Sequence, residues 1–238
     1  MTRQVVVYPD AATVATATAA RLIIEVTDVL AHQERADVVL TGGTVGTATL
    51  AAVADNPLAE SVDWDSVHLW WGDERFVASG DPDRNEGQAQ EALISRIPIP
   101  DANVHRMGST SDFDTPETAA AAYHDELAHN GNPEFDVLML GLGPDGHVAS
   151  LFPGHPVFEK GSATISAVHD SPKPPPTRVT LSLGTINRAK KVWVIAAGAE
   201  KAHAVAECLQ GNAAFPGGAV RGTVETLWLI DATAAAEA

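Results

Sequence analysis

Residues 135–153 read FDVLMLGLGPDGHVASLFP, and this stretch decides the fold. Val137, Leu138, Met139 and Leu140 form an unbroken apolar run, the pattern of a strand covered on both faces. The run breaks into Gly141, Gly143, Pro144, Asp145 and Gly146, and one titratable ring, His147, follows the break. In an open α/β sheet, ligands bind beyond the carboxyl ends of the strands. A carboxylate and an imidazole are therefore delivered where a site is expected. The G-x-G-x-x-G spelling of 141–146 invites a dinucleotide reading, which also requires a long helix opening at the loop. Pro144 removes one amide from such a cradle, and Pro153 stops any helix after about two turns. A nicotinamide or flavin site is not expected.

The same alternation of strand and helix extends in both directions. Val5 to Tyr8 reads as a first strand, and Asp10 or Thr13 as the cap of a helix over 11–32 with Leu22, Ile23, Val26, Val29 and Leu30 along one face. The second strand, 37–40, ends in Thr41-Gly42-Gly43-Thr44 before a helix over 48–54. Such a turn is either a tight βα connection or an anion site, where free N–H groups meet the positive end of a helix dipole. The third strand, 67–71, runs into Gly72-Asp73-Glu74-Arg75. Asp73 and Glu74 are placed to hold Arg75 with its fork free for a phosphate, the plainer reading being a solvated salt-bridged turn. Asn85 is the expected cap of a helix carrying Ala89, Ala92, Leu93 and Ile94, and 103–107 reads as a short strand.

Thr115-Pro116-Glu117 opens a helix to about Ala128. After Pro153 come a strand over 163–168, the stiff rim SPKPPPT at 171–177, and an alternating strand RVTLSL at 178–183. Val192 to Ala196 is another buried strand, followed by Gly198 and a helix over 199–209. Lys201 lies in its first turn, a cation opposing the helix dipole that a bound anion would relieve. Thr226 to Ile230 is the last strand. The expected fold class is α/β: a doubly wound, mainly parallel sheet with helices on both faces, Rossmann-like. One domain over 1–238 is expected, with room for a small subdomain around 145–190.

The formal charge of −16 argues against nucleic acid and anionic membrane as partners. It also means that an anionic ligand must be held by specific cations against an unfavourable overall field. Cys208 is the single cysteine, so no disulfide forms within the chain and a cysteine-based zinc site is excluded. No signal-peptide pattern or membrane-length apolar run is visible, and a cytoplasmic location is expected. Oligomeric state is left open, a monomer included.

TGG at 41–43, WGDERFV at 71–77, GLGPDGHVASLFPG at 141–154, PKPPPTRVTLSL at 172–183 and GAEKA at 198–202 occur in this order. Together they resemble the 6-phosphogluconolactonase family, whose sheet is related to that of glucosamine-6-phosphate deaminase. The resemblance implies hydrolysis of 6-phospho-D-glucono-1,5-lactone to 6-phosphogluconate with no metal and no organic cofactor. It implies His147 as general base, and Arg75 and Lys201 as phosphate ligands helped by the Gly42-Gly43-Thr44 turn, with Arg178 as an additional contact. Asp145 or Asp73 would orient the ring, and the sequence does not choose between them. An N–H within 143–148 is the expected oxyanion donor. Two other readings share the fold: a sugar-phosphate deaminase or isomerase, disfavoured by the WGDER block, and a non-catalytic sugar-phosphate sensor. The sensor reading is disfavoured because no helix-turn-helix precedes Val5 and the charge is negative.

Overall fold

Alternating strands and helices account for most of residues 2–160 and 163–238, which the computed structural model describes. The first half contains β1 (Thr2–Tyr8), α1 (Ala11–Leu30), β2 (Ala36–Leu40), α2 (Thr44–Ala54), β3 (Val67–Trp71) and β4 (Asp73–Arg75). Then come α3 (Asn85–Ala92), α4 (Pro116–His129), β5 (Val137–Gly141), α5 (Pro156–Lys160), β6 (Ile165–Val168) and β7 (Arg178–Leu181). The chain closes with α6 (Leu183–Ile186), β8 (Lys191–Ala196), α7 (Ala202–Leu209), α8 (Pro216–Ala219) and β9 (Glu225–Asp231).

Six strands form one parallel sheet in the order β1-β9-β8-β5-β2-β3. β5 lies inside it, and Val137 to Leu140 are buried, as an apolar run covered on both faces requires. Leu22, Ile23 and Val26 of α1 and Val53 of α2 pack on Val38, Leu40 and Leu69 on one face. On the other, Tyr123 of α4 reaches the backbone of Trp71, and Arg3 bonds the C-terminal end of α7. The expected doubly wound parallel sheet is therefore observed. Asp10 caps α1, and threonines of that helix return their hydroxyls to carbonyls one turn back, Thr16 to Ala12 and Thr27 to Ile23 at 2.8 Å each. Among the described residues no helix is long and apolar enough to cross a membrane.

A second, antiparallel sheet, β4-β7-β6, stands on the carboxyl end of β3. Gly72 joins the two sheets: its N–H donates to Leu40 and its carbonyl accepts from Leu181. Two local expectations are corrected. The short strand over 103–107 reduces to one bridge, Val104 to Leu69, because a 3-10 turn at Asp101–Asn103 brings a single residue into register. Asn85 does not cap α3 with its side chain; the Glu74 carboxylate takes the N–H groups of Asn85 and Glu86, each at 2.8 Å. A buried anion at a helix N-terminus offsets the dipole there, and Glu74 supplies it from the neighbouring strand.

Candidate active site

β2 and β5 lie side by side where the chain's winding reverses, and a cavity of about 180 Å³ opens at their carboxyl ends. Thr41, Gly42 and Gly43 enter it from β2, Asp73 and Arg75 from β4, Gly141 and Gly143 from β5, and Lys201 from beyond β8. His147, Lys173 and Arg178 complete the charged lining. Thr44 lines an adjoining cavity of about 380 Å³ that shares Gly42, Gly43 and Lys201.

The 142–155 segment forms turns rather than a helix. Gly143 N–H donates to the His147 carbonyl (2.8 Å) and Gly146 N–H to the Gly143 carbonyl (2.9 Å). This fold lays the imidazole over Gly143, where a Cβ would fall 1.9 Å from Nδ1; only glycine leaves that space. Gly146 takes the left-handed backbone at φ 77. Asp145 Oδ1 lies 2.5 Å from His147 Nδ1. A carboxylate only accepts, so Nδ1 carries the proton and Nε2 is left as the basic nitrogen. Burial would raise the Asp145 carboxyl, but His147 and Lys173 outweigh it and hold it well below the usual carboxylate range. The amides of Gly143 and Gly146 are spent inside the loop, which narrows the expected oxyanion donor to the remaining N–H groups of 143–148.

Asp73 is turned elsewhere. Its Oδ2 accepts from Ser150 Oγ at 2.6 Å and lies 3.9 Å from Arg178 Nη1. Of the two carboxylates open as partners of the ring, Asp145 is the one in contact. The expectation that Asp73 and Glu74 hold the Arg75 fork is also corrected. Glu74, 1% exposed, receives three backbone N–H groups, while Arg75 Nη1 donates to the Asp83 carbonyl and Nε has no partner among the described residues. Arg75 lies directly across the β4–β7 ladder from Arg178. Like charges in that position repel, and an anion between them would remove the penalty. Arg178 is less free than expected: Nε donates to Pro175 (3.0 Å) and Nη2 to Lys173 (3.1 Å) and Pro174 (3.0 Å). It clamps the proline segment as well as lining the cavity.

At the β2 end, Gly43 (φ 81) precedes α2, and no side chain caps the helix. Gly43 lines the cavity and Thr44, Val45 and Gly46 line the adjoining one, and an uncapped helix start at that place is suited to an anion. Lys201 completes this end. Burial lowers its amine, Lys173 adds to the effect, and Glu200 and Asp145 oppose it. In a chain of net charge −16 the cavity thus sets Arg75, Lys173, Arg178 and Lys201 against Asp73, with Asp145 behind His147.

Three lining or supporting residues were not anticipated. Lys173 is the single charge in SPKPPPT, read as a rim; its signal was a cation on a stiffened segment ahead of a strand. Asn85 donates from Nδ2 to the Asp73 carbonyl (2.9 Å), and a Cβ on Gly42 would fall 1.9 Å from its Oδ1. Ser150, wholly buried beneath Asp73, had no sequence signal. His155 contacts the His169 carbonyl at the surface and is not part of the cavity lining.

The family of glucosamine-6-phosphate isomerases/6-phosphogluconolactonase matches residues 9–228. A 6-phosphogluconolactonase of Streptomyces coelicolor is 47% identical over 99% of this chain and 95% of its own. The crystal structure of 6-phosphogluconolactonase from Thermotoga maritima superposes with a TM-score of 0.86 at 27% identity, covering 97% of this chain and 100% of that one. A monomeric glucosamine-6-phosphate deaminase superposes with a TM-score of 0.82 at 19% identity over the full length of both chains, which speaks to the fold alone. The chain belongs to the glucosamine-6-phosphate isomerase/6-phosphogluconolactonase family.

Proposed function

We propose that this chain hydrolyses 6-phospho-D-glucono-1,5-lactone to 6-phospho-D-gluconate, with His147 as general base. The reading rests on one observation: an imidazole paired with a carboxylate through Nδ1 shares a cavity with a cluster of cations and an uncapped helix N-terminus. Relatives named 6-phosphogluconolactonase, similar over nearly the whole chain, support the choice of lactone.

The phosphate binds against Arg75, Lys201 and the Gly42-Gly43-Thr44 turn, and the lactone carbonyl carbon then lies beside His147. Fixing the far end of the sugar removes rotational freedom before the reaction begins. His147 Nε2 takes a proton from water as the water oxygen attacks C1. The tetrahedral alkoxide collapses, the C1–O5 bond breaks, and the imidazolium returns the proton to O5. Asp145 holds the tautomer throughout and carries compensating charge while the ring is protonated.

The test is a coupled assay on freshly prepared lactone, corrected for spontaneous ring opening, with glucosamine 6-phosphate run in parallel. Rapid lactone turnover with no ammonia release is expected. Deamination without lactone hydrolysis would overturn the reading in favour of the deaminase chemistry the same fold supports.

A further inference from the structure

The proline segment 171–177 reaches the centre of the site through one side chain. Lys173 Nζ lies 3.2 Å from Asp145 Oδ1 and 3.3 Å from His147 Nδ1. The ammonium and the Nδ1–H are both donors, so they converge on one carboxylate oxygen rather than bonding each other. The backbone of Lys173 is fixed at both its carbonyl and its N–H. Its carbonyl accepts from Ser171 Oγ (3.0 Å) and Arg178 Nη2 (3.1 Å), and its N–H donates back to Ser171 Oγ (3.3 Å). Arg178, 4% exposed, is steadied in turn by Asp73, which Ser150 holds. A lysine loses considerable rotamer freedom when its head is immobilised, and a pre-set backbone reduces that loss. The buried polar chain from Ser150 to Arg178 ends by aiming a cation at the Asp145–His147 pair.

We propose that Lys173 is a positioning residue for the reaction proposed above: it holds Asp145 in place as an ionised acceptor and opposes premature protonation of the His147 ring. The charged groups around that ring are few. Asp145 lies on its own loop, Lys173 comes from the proline segment, and Lys201, Arg75, Arg178 and Asp73 line the rest of the cavity. Phe152, whose ring centre is 4.6 Å away, contributes no charge. Among the described residues Lys173 is therefore the cation in direct contact, and its removal leaves the carboxylate to act on the ring without that opposition.

This role depends on the lactonase reading, so the experiment has one arm that needs no substrate. Ring-nitrogen NMR of His147 is followed against pH in the substrate-free parent, Lys173→Met and Lys173→Arg, alongside lactone kinetics. In Lys173→Met the ring takes up its second proton at a higher pH, by about one unit for a charge at this distance in a water-like dielectric. The acid limb of kcat/KM moves the same way, and kcat falls about tenfold with KM within about twofold. Lys173→Arg retains the parent titration. An unchanged ring titration in Lys173→Met overturns the proposal whatever the kinetics. So does a raised KM with parent kcat, which would make Lys173 a substrate ligand. A shifted titration in a protein that never turns over the lactone leaves the positioning role standing and rejects the lactonase reading.

Discussion

At the residue scale, His147 and its cationic neighbours divide the work, and the division can be measured. His147→Ala removes the proposed base and leaves the anion end untouched, so kcat should fall by about a hundredfold to ten-thousandfold. Affinity for 6-phosphogluconate, read by calorimetry, should stay within about twofold; substantial residual turnover would remove His147 from its role. Arg75 and Lys201 act at the other end. Each charge-assisted hydrogen bond to phosphate contributes about 1.5–3 kcal/mol, so Arg75→Ala or Lys201→Ala should raise KM by about tenfold to a hundredfold. Unchanged KM in both variants would contradict the phosphate assignment. The lowered amine of Lys201 fits this division, because a bound dianion offsets the burial and the Lys173 repulsion that lower it.

At the scale of elements, the site depends on how closely the β2 turn meets the start of α3. Asn85 is pinned by its Nδ2 bond to Asp73 and by the Glu74 carboxylate at its backbone, so it cannot swing aside. A methyl group at position 42 would lie 1.9 Å from Asn85 Oδ1 and 2.6 Å from Cγ. The glycine turn would have to move instead, taking the α2 amides with it. Gly42→Ala should therefore cost about 1–3 kcal/mol in urea unfolding, as overpacking does, and raise KM for the lactone more than it lowers kcat. A variant with parent stability and parent KM would show that the turn tolerates displacement.

For the whole molecule, a histidine relay far from the cavity, near the amino ends of β2 and β3, ties stability to pH. Glu126 Oε1 accepts from His105 Nδ1 at 2.7 Å, and His68 Nδ1 lies 2.8 Å from His105 Nε2. A neutral chain satisfies both contacts in one way only: His105 Nδ1–H donates to Glu126, and His68 Nδ1–H donates to His105 Nε2. Trp70 stacks on His105 at 3.7 Å and donates to Asp37, so the relay joins β3 to β2 and α4. Burial pushes the His68 imidazole down to about 4, with Arg35 adding to it and Asp37 opposing. His105 is lowered too, chiefly by burial. A histidine whose pKa is lower in the folded state binds its proton more readily after unfolding. Its contribution is complete above about 6.5 and is lost as pH falls through about 4. The urea midpoint should thus drop between pH 7.5 and pH 4.5, and His68→Asn, which keeps a donor towards His105 without a titrating ring, should drop less. Equal losses in both proteins would assign acid sensitivity to other groups.

Periodicity and punctuation in the chain determined the six strands of the parallel sheet, most of the helices, the glycine turns at 41–43 and 141–146, and the placing of His147 beyond a buried strand; β4, read as a charged turn, was missed. These are local properties, since side-chain spacing and backbone freedom are read within a few residues. Partnership between side chains was decided only in three dimensions. Asp73 meets Ser150 across 77 positions, and Lys173 meets Asp145 across 28. Which carboxylate faces the imidazole, which arginine clamps the proline segment and which lysine reaches the pair depend on the β4–β7 register and on Gly72 joining the two sheets. No periodicity carries that information, because a hydrogen bond depends on the distance between two atoms and not on the number of residues separating them.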